Sequence, residues 1–203
     1  MPLDNTIALI TVDRYLLYSG ETVNDPGAPN ERIEQFINAA SRHIITESGR
    51  KFVTPASAIV ELFSGDGMGD YFAAHNPIGA TPAPILEVYE GPTSGWKNVA
   101  TVYNQVFAYS SDRGHVYFTD GNVFSRGERN YRLTYSYGWT LALMPQDIQS
   151  ACCMIVDWLK LQADKLGVSS ETFGDNSRNY AQDGAHGFPD HVWGIIRRYR
   201  RHG

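Results

Sequence analysis

The chain has 203 residues, 42% of them apolar and 12% aromatic, and its 17 basic and 22 acidic side chains give a net charge of −5. This composition excludes a disordered protein and supplies enough apolar surface for a sizeable core, most simply in one domain with extensions. The acidic balance argues against a body that wraps nucleic acid.

The sequence predicts an unexported protein without a membrane span. No basic leader precedes the short apolar run near the N-terminus, and no stretch contains eighteen consecutive apolar residues. Cys152 and Cys153 are adjacent on a predicted helix, where neighbouring side chains diverge by about 100° and cannot form an ordinary disulfide. We therefore expect a reducing compartment, with these cysteines serving core packing.

Two helices are predicted before the first strand. The first lies near residues 11–18, where Thr11 can cap it and Gly20 ends it. The second covers residues 30–48, and Gly49 is placed to end it in a left-handed conformation. Its apolar side chains recur at three- and four-residue steps, which predicts a helix with one buried face. This face consists of Ile33, Phe36, Ile37, Ala40 and Ile44.

From about residue 57 to residue 139 the sequence predicts short antiparallel strands, because β-branched and aromatic residues are interrupted by glycine and proline. Asp66-Gly67 and Asp120-Gly121 predict hairpin turns, and the proline-rich stretch 76–84 predicts an exposed connection. The clearest strand lies within residues 130–139. Its alternation predicts one buried face, formed by Tyr131, Leu133, Tyr135 and Tyr137. The water-facing side chains are Arg132, Thr134 and Ser136.

Two further helices follow the β block. One is predicted over residues 145–166, with Pro145 in the first turn and Gly167 after its end. Its apolar stripe is Ile148, Cys152, Ile155, Leu159 and Leu166, widened by Met154, Trp158 and Leu161. The last helix is predicted over residues 189–201, with a stripe of Val192, Ile196 and Tyr199. Helices that flank an inserted antiparallel β block define an α+β fold.

The C-terminal segment 167–203 is too poor in apolar side chains to fold alone, because its isolated anchors cannot offset the entropy of ordering the chain. We expect it to lie across another surface, on the same chain or on a neighbouring subunit. Its predicted contact residues are Phe173, Tyr180, Phe188, Trp193 and Tyr199 together with Arg197, Arg198, Arg200 and Arg201. The arginines either complement a helix C-terminus or dock on acidic groups of a partner, with DNA phosphate a weaker option.

No motif for catalysis, cofactor binding or metal binding is found. The segment SGDGMGD lacks the Gly-Lys-Ser/Thr of a phosphate loop, and a plain hairpin turn explains it better. The six histidines form no HExxH pair, and no GxSxG signature marks a nucleophile. We therefore predict no catalytic residue, no cofactor and no metal, and a small hydrolase with scattered catalytic groups is the distant alternative.

Three segments of the chain, in this order, resemble the head-tail connector proteins of tailed bacteriophages, also called adaptor or head completion proteins. They are ERIEQFINAASRHIITESGRKF, then RGERNYRLTYSYGW followed by MPQDIQSACCMIVDWLKLQ, and then GVSSETFGDNSRNYA leading to FPDHVWGIIRRYRR. Together they cover roughly half of the chain. The block from Ala58 to about Asn122 is longer than in compact adaptors, which leaves its role open.

The resemblance implies a non-enzymatic ring of twelve copies that docks on the portal and receives the tail or further neck proteins. Residues 1–166 would form the connector body, a helical bundle with the inserted β block, and residues 167–203 an extended docking arm. Double-stranded DNA would pass through the ring without sequence-specific binding. The expected location is the virion neck, after assembly in the host cytoplasm. Another neck or tail-completion protein is the nearer alternative.

Overall fold

The computed structural model describes residues 2–20, 30–164, 170–173, 176–179 and 190–200. It has a mixed α+β fold that divides into two compact units. One unit comprises residues 1–50 and 143–203, and the other comprises residues 51–142. Among the described helices, none combines the length and the apolar character needed to span a bilayer.

The structure contains five helices and nine strands among its described residues. The helices are α1 (Val12–Ser19), α2 (Glu31–Ser48), α3 (Val99–Val102), α4 (Gln146–Asp164) and α5 (Asp190–Arg198). The strands are β1 (Ile59–Gly65), β2 (Asp70–Phe72), β3 (Ile85–Tyr89), β4 (Trp96–Asn98), β5 (Phe107–Ser110), β6 (His115–Phe118), β7 (Gly127–Tyr135), β8 (Ser170–Phe173) and β9 (Asn176–Asn179).

All four predicted helices are present, and each begins within one residue of its predicted start. The last helix ends at Arg198, three residues before its predicted end. The Thr11 hydroxyl caps α1 by accepting a hydrogen bond from the Arg14 N–H at 3.1 Å. Gly20 and Gly49 end α1 and α2 with left-handed φ angles of +70° and +66°, as predicted. In the first unit α1, α2 and α4 contact one another, and α5 contacts α2 and α4.

The predicted stripe of α4 is only partly correct. Ile148, Cys152 and Ile155 are completely buried, but Leu161 is exposed. Ala151 and Val156, which lie outside the predicted stripe, are also completely buried. The reason is that α4 contacts three helices, so its N-terminal half buries a wider arc than one stripe. The predicted Leu166 and Gly167 lie outside the described residues.

The second unit contains two antiparallel sheets that pack face to face. One has the strand order β1-β7-β3-β4 and the other β2-β6-β5. Their facing side chains share one core, in which Phe63 stacks on Tyr71 with ring centroids 3.6 Å apart. The first sheet contributes Leu86, Tyr131, Leu133 and Tyr135 to this core, and the second sheet contributes Val116 and Phe118.

The two predicted hairpin turns are wrong. Gly67 and Gly121 do adopt left-handed φ angles, of +88° and +79°. However, β1 pairs with β7 whereas β2 pairs with β6, so the turn at Asp66-Gly67 carries the chain between sheets. The turn at Asp120-Gly121 does the same between β6 and β7. A dipeptide fixes the local backbone conformation but not the strand with which its flanks pair.

The proline-rich stretch 76–84 and the predicted strand 130–139 are only partly as expected. Pro77 and Ile78 are buried, whereas residues 80–83 are exposed as predicted. Ser136, predicted to face water, is also buried and donates a hydrogen bond to the Thr81 carbonyl at 3.1 Å. The stretch covers the end of β7, where Gly79 N–H donates to the Ser136 carbonyl at 2.8 Å. Tyr131, Leu133, Tyr135 and Tyr137 are buried as predicted.

The segment predicted as an extended arm contains an antiparallel strand pair. Strands β8 and β9 pair from Ser170↔Asn179 to Phe173↔Asn176. The backbone of this part of the arm therefore satisfies its own hydrogen bonds.

Candidate interaction surfaces

Helix α5 is held on its own chain by one apolar face. Val192 and Ile196, which lie one turn apart, are completely buried. Since α5 contacts α2 and α4, these side chains lie between α5 and those two helices. The predicted stripe of Val192, Ile196 and Tyr199 therefore faces the same subunit.

A hydrogen bond fixes the end of α5. The Tyr199 hydroxyl donates to Asp147 Oδ1 at 2.7 Å, and Asp147 lies in the first turn of α4. Burial, reinforced by this bond to a carboxylate, raises the pKa of Tyr199 to about 12. Tyr199, predicted as a partner contact, is thus engaged within its own unit.

The arginines near the end of α5 face solvent. Arg197, Arg198 and Arg200 are all exposed, and the described part of the chain gives none of them an acidic partner. Trp193 is half-buried and lies one turn before Arg197 on the same side of the helix. Trp193, Arg197 and Arg198 thus lie on α5 and Arg200 just after it, and their contact with a partner stays a prediction.

The structure does not describe the side chains of the other predicted contact residues. Phe173 ends β8, but only its backbone is described. Tyr180, Phe188 and Arg201 lie outside the described residues. Their assignment to a partner interface stays a prediction.

The outward face of the four-stranded sheet is a second candidate surface, which the sequence analysis did not identify. At its centre Arg132 donates two hydrogen bonds of 2.7 Å to the two carboxylate oxygens of Glu87. The hydrogen bonds to Glu87 raise the pKa of Arg132, whose guanidinium lies 4.8 Å from the Trp96 ring centroid. The exposed apolar side chains around this pair are Val60, Leu62, Ile85 and Tyr89. The sequence of β1, IVELFSG, could have indicated this surface, because apolar residues occur on both of its alternating faces.

The outward face of the three-stranded sheet carries a ladder of stacked rings. His115 lies between Phe72 and Tyr117, with ring centroids 4.8 Å and 4.9 Å away. His115 Nε2 also lies 3.3 Å from Asp70 Oδ2. Phe72 is exposed. Val106 is exposed as well, but it lies opposite Thr119 at the far end of this sheet. Such an aromatic, partly polar face suits protein contact better than catalysis.

A polar cluster inside the second unit was also missed. Glu61 lies on the inward side of β1 and accepts hydrogen bonds from the hydroxyls of Tyr71 and Tyr135. The Ala74 N–H donates to both of its carboxylate oxygens at 3.0 Å. The sequence could have indicated this cluster, because Glu61 lies between Ile59 and Phe63 on the apolar side of the strand. All three donors come from the β unit, and two of them lie on different sheets, so the cluster joins the two sheets of this unit.

The cysteines and the SGDGMGD segment, which the sequence analysis considered for chemistry, have structural surroundings. Cys152 and Cys153 are free and buried, and burial raises the pKa of Cys152 to about 12 and that of Cys153 to about 11. Throughout the described ranges, no group of three or more metal-ligating side chains converges. In the SGDGMGD segment Asp66 Oδ1 accepts from the Met68 N–H at 2.8 Å, as in an ordinary turn.

Comparisons with known proteins show the family of the chain and solved structures that share its fold. The family model described as "Head completion protein" matches residues 8–202, whereas no curated protein matches. A chain from the neck of an empty gene transfer agent (GTA) particle, computed with C6 symmetry, is similar with a TM-score of 0.61 and 12% identity. That likeness covers 100% of this chain and 94% of the other.

Two further solved structures are similar over the whole chain. One is from the neck of a native GTA particle, computed with C12 symmetry, with a TM-score of 0.57, 12% identity and 93% of that chain covered. The other is from the virion of a native GTA particle, with a TM-score of 0.58, 15% identity and 94% covered. At these identities the likeness shows a shared fold.

Proposed function

This chain belongs to the head completion protein family, and from that membership we propose that it is a structural, non-enzymatic protein of the virion neck, between head and tail. The observation that carries the proposal is the family match over residues 8–202. The shared fold with chains from the necks of phage-like particles supports it. Assembly would take place in the host cytoplasm.

We further propose that the protein forms a ring of twelve copies. Its structural relatives come from necks computed with C6 and C12 symmetry, which supports a closed rotational assembly. Residues 1–166 would supply the ring body, in which the helices form a bundle and the β block is inserted. Double-stranded DNA would pass through the channel without sequence-specific contacts, since a net charge of −5 opposes adhesion of phosphates.

The proposed portal contact is the arm of residues 167–203. Burial of Val192 and Ile196 on the same chain holds α5 in place, so the exposed arginines are presented on an ordered helix. Such arginines suit acidic groups of the portal protein. Each arm adds a modest contact, and a ring multiplies the contacts because one engaged arm raises the effective concentration of the others. Phe173, Tyr180, Phe188, Trp193 and Arg201 are proposed as further contacts.

Charge reversal tests this assignment better than deletion of the arm, because deletion would also remove the buried Val192 and Ile196. In the Arg197→Glu/Arg198→Glu variant, we expect binding to purified portal to weaken at least about tenfold, roughly 1.4 kcal/mol. The matched control is Arg113→Glu, which reverses an exposed arginine in the β unit. Binding is measured by pull-down and by sedimentation of the mixture.

The outcomes separate the alternatives. Portal binding at wild-type strength by the double variant would overturn the arm's docking role. If the wild-type protein binds purified tail components but not portal, it is another neck or tail-completion protein.

A further inference from the structure

The β unit has two outward faces on opposite sides, and both expose apolar side chains. The two sheets pack through one shared core, so their other faces necessarily point away from each other. On the four-stranded sheet Val60 and Leu62 are 59% and 47% exposed, and on the three-stranded sheet Phe72, which stacks on His115, is 60% exposed. Apolar side chains grouped on an exposed face are typical of a surface that another protein covers.

The face of the four-stranded sheet has the composition of an interface centre. The strand register places Val60, Thr134 and Ile85 in one row across the sheet. Leu62, Arg132 and Glu87 form the next row. Tyr89 and Trp96 are paired beside them with ring centroids 5.3 Å apart. Tryptophan, tyrosine and arginine surrounded by apolar side chains are typical of binding hot spots.

The face of the three-stranded sheet offers a complementary surface. Its ladder of Phe72, His115 and Tyr117 supplies flat aromatic area. Next to the ladder lies Asp70, whose side chain is about half exposed. On the other face, Arg132 uses its Nε and Nη2 for Glu87, which leaves a further guanidinium nitrogen as a donor. A carboxylate such as Asp70 is the natural acceptor for it.

We propose that the outward face of the four-stranded sheet in one copy packs on the outward face of the three-stranded sheet in a second copy. The inference rests on the proposed ring. The two faces differ and lie on opposite sides of one unit, so their contact is head-to-tail and can repeat around a ring until it closes. DNA is a poor occupant of the first face, because a single arginine that is paired with a carboxylate and surrounded by apolar side chains cannot neutralise a series of phosphates.

The test is cysteine cross-linking in assembled neck particles. Leu62→Cys and Phe72→Cys place one thiol on each face, and a short bismaleimide joins thiols that lie close together. The double variant should give a ladder of covalent multimers on a denaturing gel. Each single variant should stay monomeric, because residue 62 does not meet its own equivalent across a head-to-tail contact. A mixture of the two single variants should give dimers only.

Thr46→Cys is the matched control, since Thr46 is exposed on α2 outside both faces. The wild-type protein controls for Cys152 and Cys153, which are buried. Particles that contain the double variant but yield no ladder would overturn the interface and leave the neck role standing. Absence of the wild-type protein from purified particles would instead overturn the proposed function. Cross-linked dimers of a single variant would show a symmetric contact and would also contradict the proposal.

Discussion

The Tyr135 hydroxyl donates a hydrogen bond to the Glu61 carboxylate across 2.6 Å in the interior of the β unit. Both residues belong to the four-stranded sheet, whereas Tyr71, which donates to the same carboxylate, belongs to the three-stranded sheet. Burial and the bond to Glu61 raise the pKa of Tyr135. One carboxylate therefore ties the two sheets together through several hydrogen bonds.

Replacing Tyr135 by phenylalanine should destabilise the free protein by about 1–3 kcal/mol, because the variant removes one donor to a half-buried carboxylate and one acceptor for the His75 N–H. The measurement is the free energy of unfolding in urea at neutral pH. Tyr89→Phe is the control, since Tyr89 is exposed. Equal stability of the two variants would show that the cluster does not contribute.

Ile196→Ala should lower the free energy of unfolding by about 2–5 kcal/mol in the absence of any partner, since the side chain is completely buried between helices of its own chain. Arg198→Ala, on the exposed side of α5, should change it by less than about 0.5 kcal/mol. Thermal and urea unfolding of the free protein measure both changes. If Ile196→Ala unfolds like the wild-type protein, α5 is not held on its own subunit.

The helices of this fold could be predicted from the sequence because their signals are local. Thr11, Gly20 and Gly49 act within a few residues of their own positions, and all three end or cap a helix as predicted. Likewise, the period-two pattern of Tyr131, Leu133 and Tyr135 is set by the pleat of one strand. Each of these predictions needed no knowledge of a distant segment.

The pairing of the strands could not be predicted in the same way. The turns at Gly67 and Gly121 have the expected backbone angles, yet each joins two sheets. Which strand pairs with which depends on contacts far apart in the sequence, such as Glu61 opposite Leu133. Of the predicted interface, the structure places Trp193, Arg197 and Arg198 on α5 and Arg200 just after it. An exposed surface does not identify its own partner.

Cys152 and Cys153 should resist alkylation in the folded protein. Both thiols are buried, and burial raises the pKa of Cys152 to about 12 and that of Cys153 to about 11, so the reactive thiolate is scarce at pH 8. Iodoacetamide followed by mass spectrometry should show no modification without denaturant and two modifications in urea. Rapid labelling of the native protein would contradict the packing of α4.

Loss of the Tyr199 proton at alkaline pH should lower the free energy of unfolding. Its pKa is about 12 in the folded protein, above the ordinary value of 10.0. The unfolded chain therefore loses this proton first as the pH rises, and the stabilisation, complete below pH 10, is lost progressively towards pH 12. Urea unfolding of the wild-type protein and of Tyr199→Phe measures this, because subtracting the two curves removes the titration of all other groups.

The expected wild-type advantage over Tyr199→Phe is largest at neutral pH and shrinks between pH 10 and pH 12, since the hydroxyl then no longer donates to Asp147. Because Tyr199 is only partly buried, solvent screening reduces the size of the effect but not its sign. An advantage that stays constant up to pH 12 would mean that the hydrogen bond to Asp147 does not form. The helix would then be anchored by Val192 and Ile196 alone.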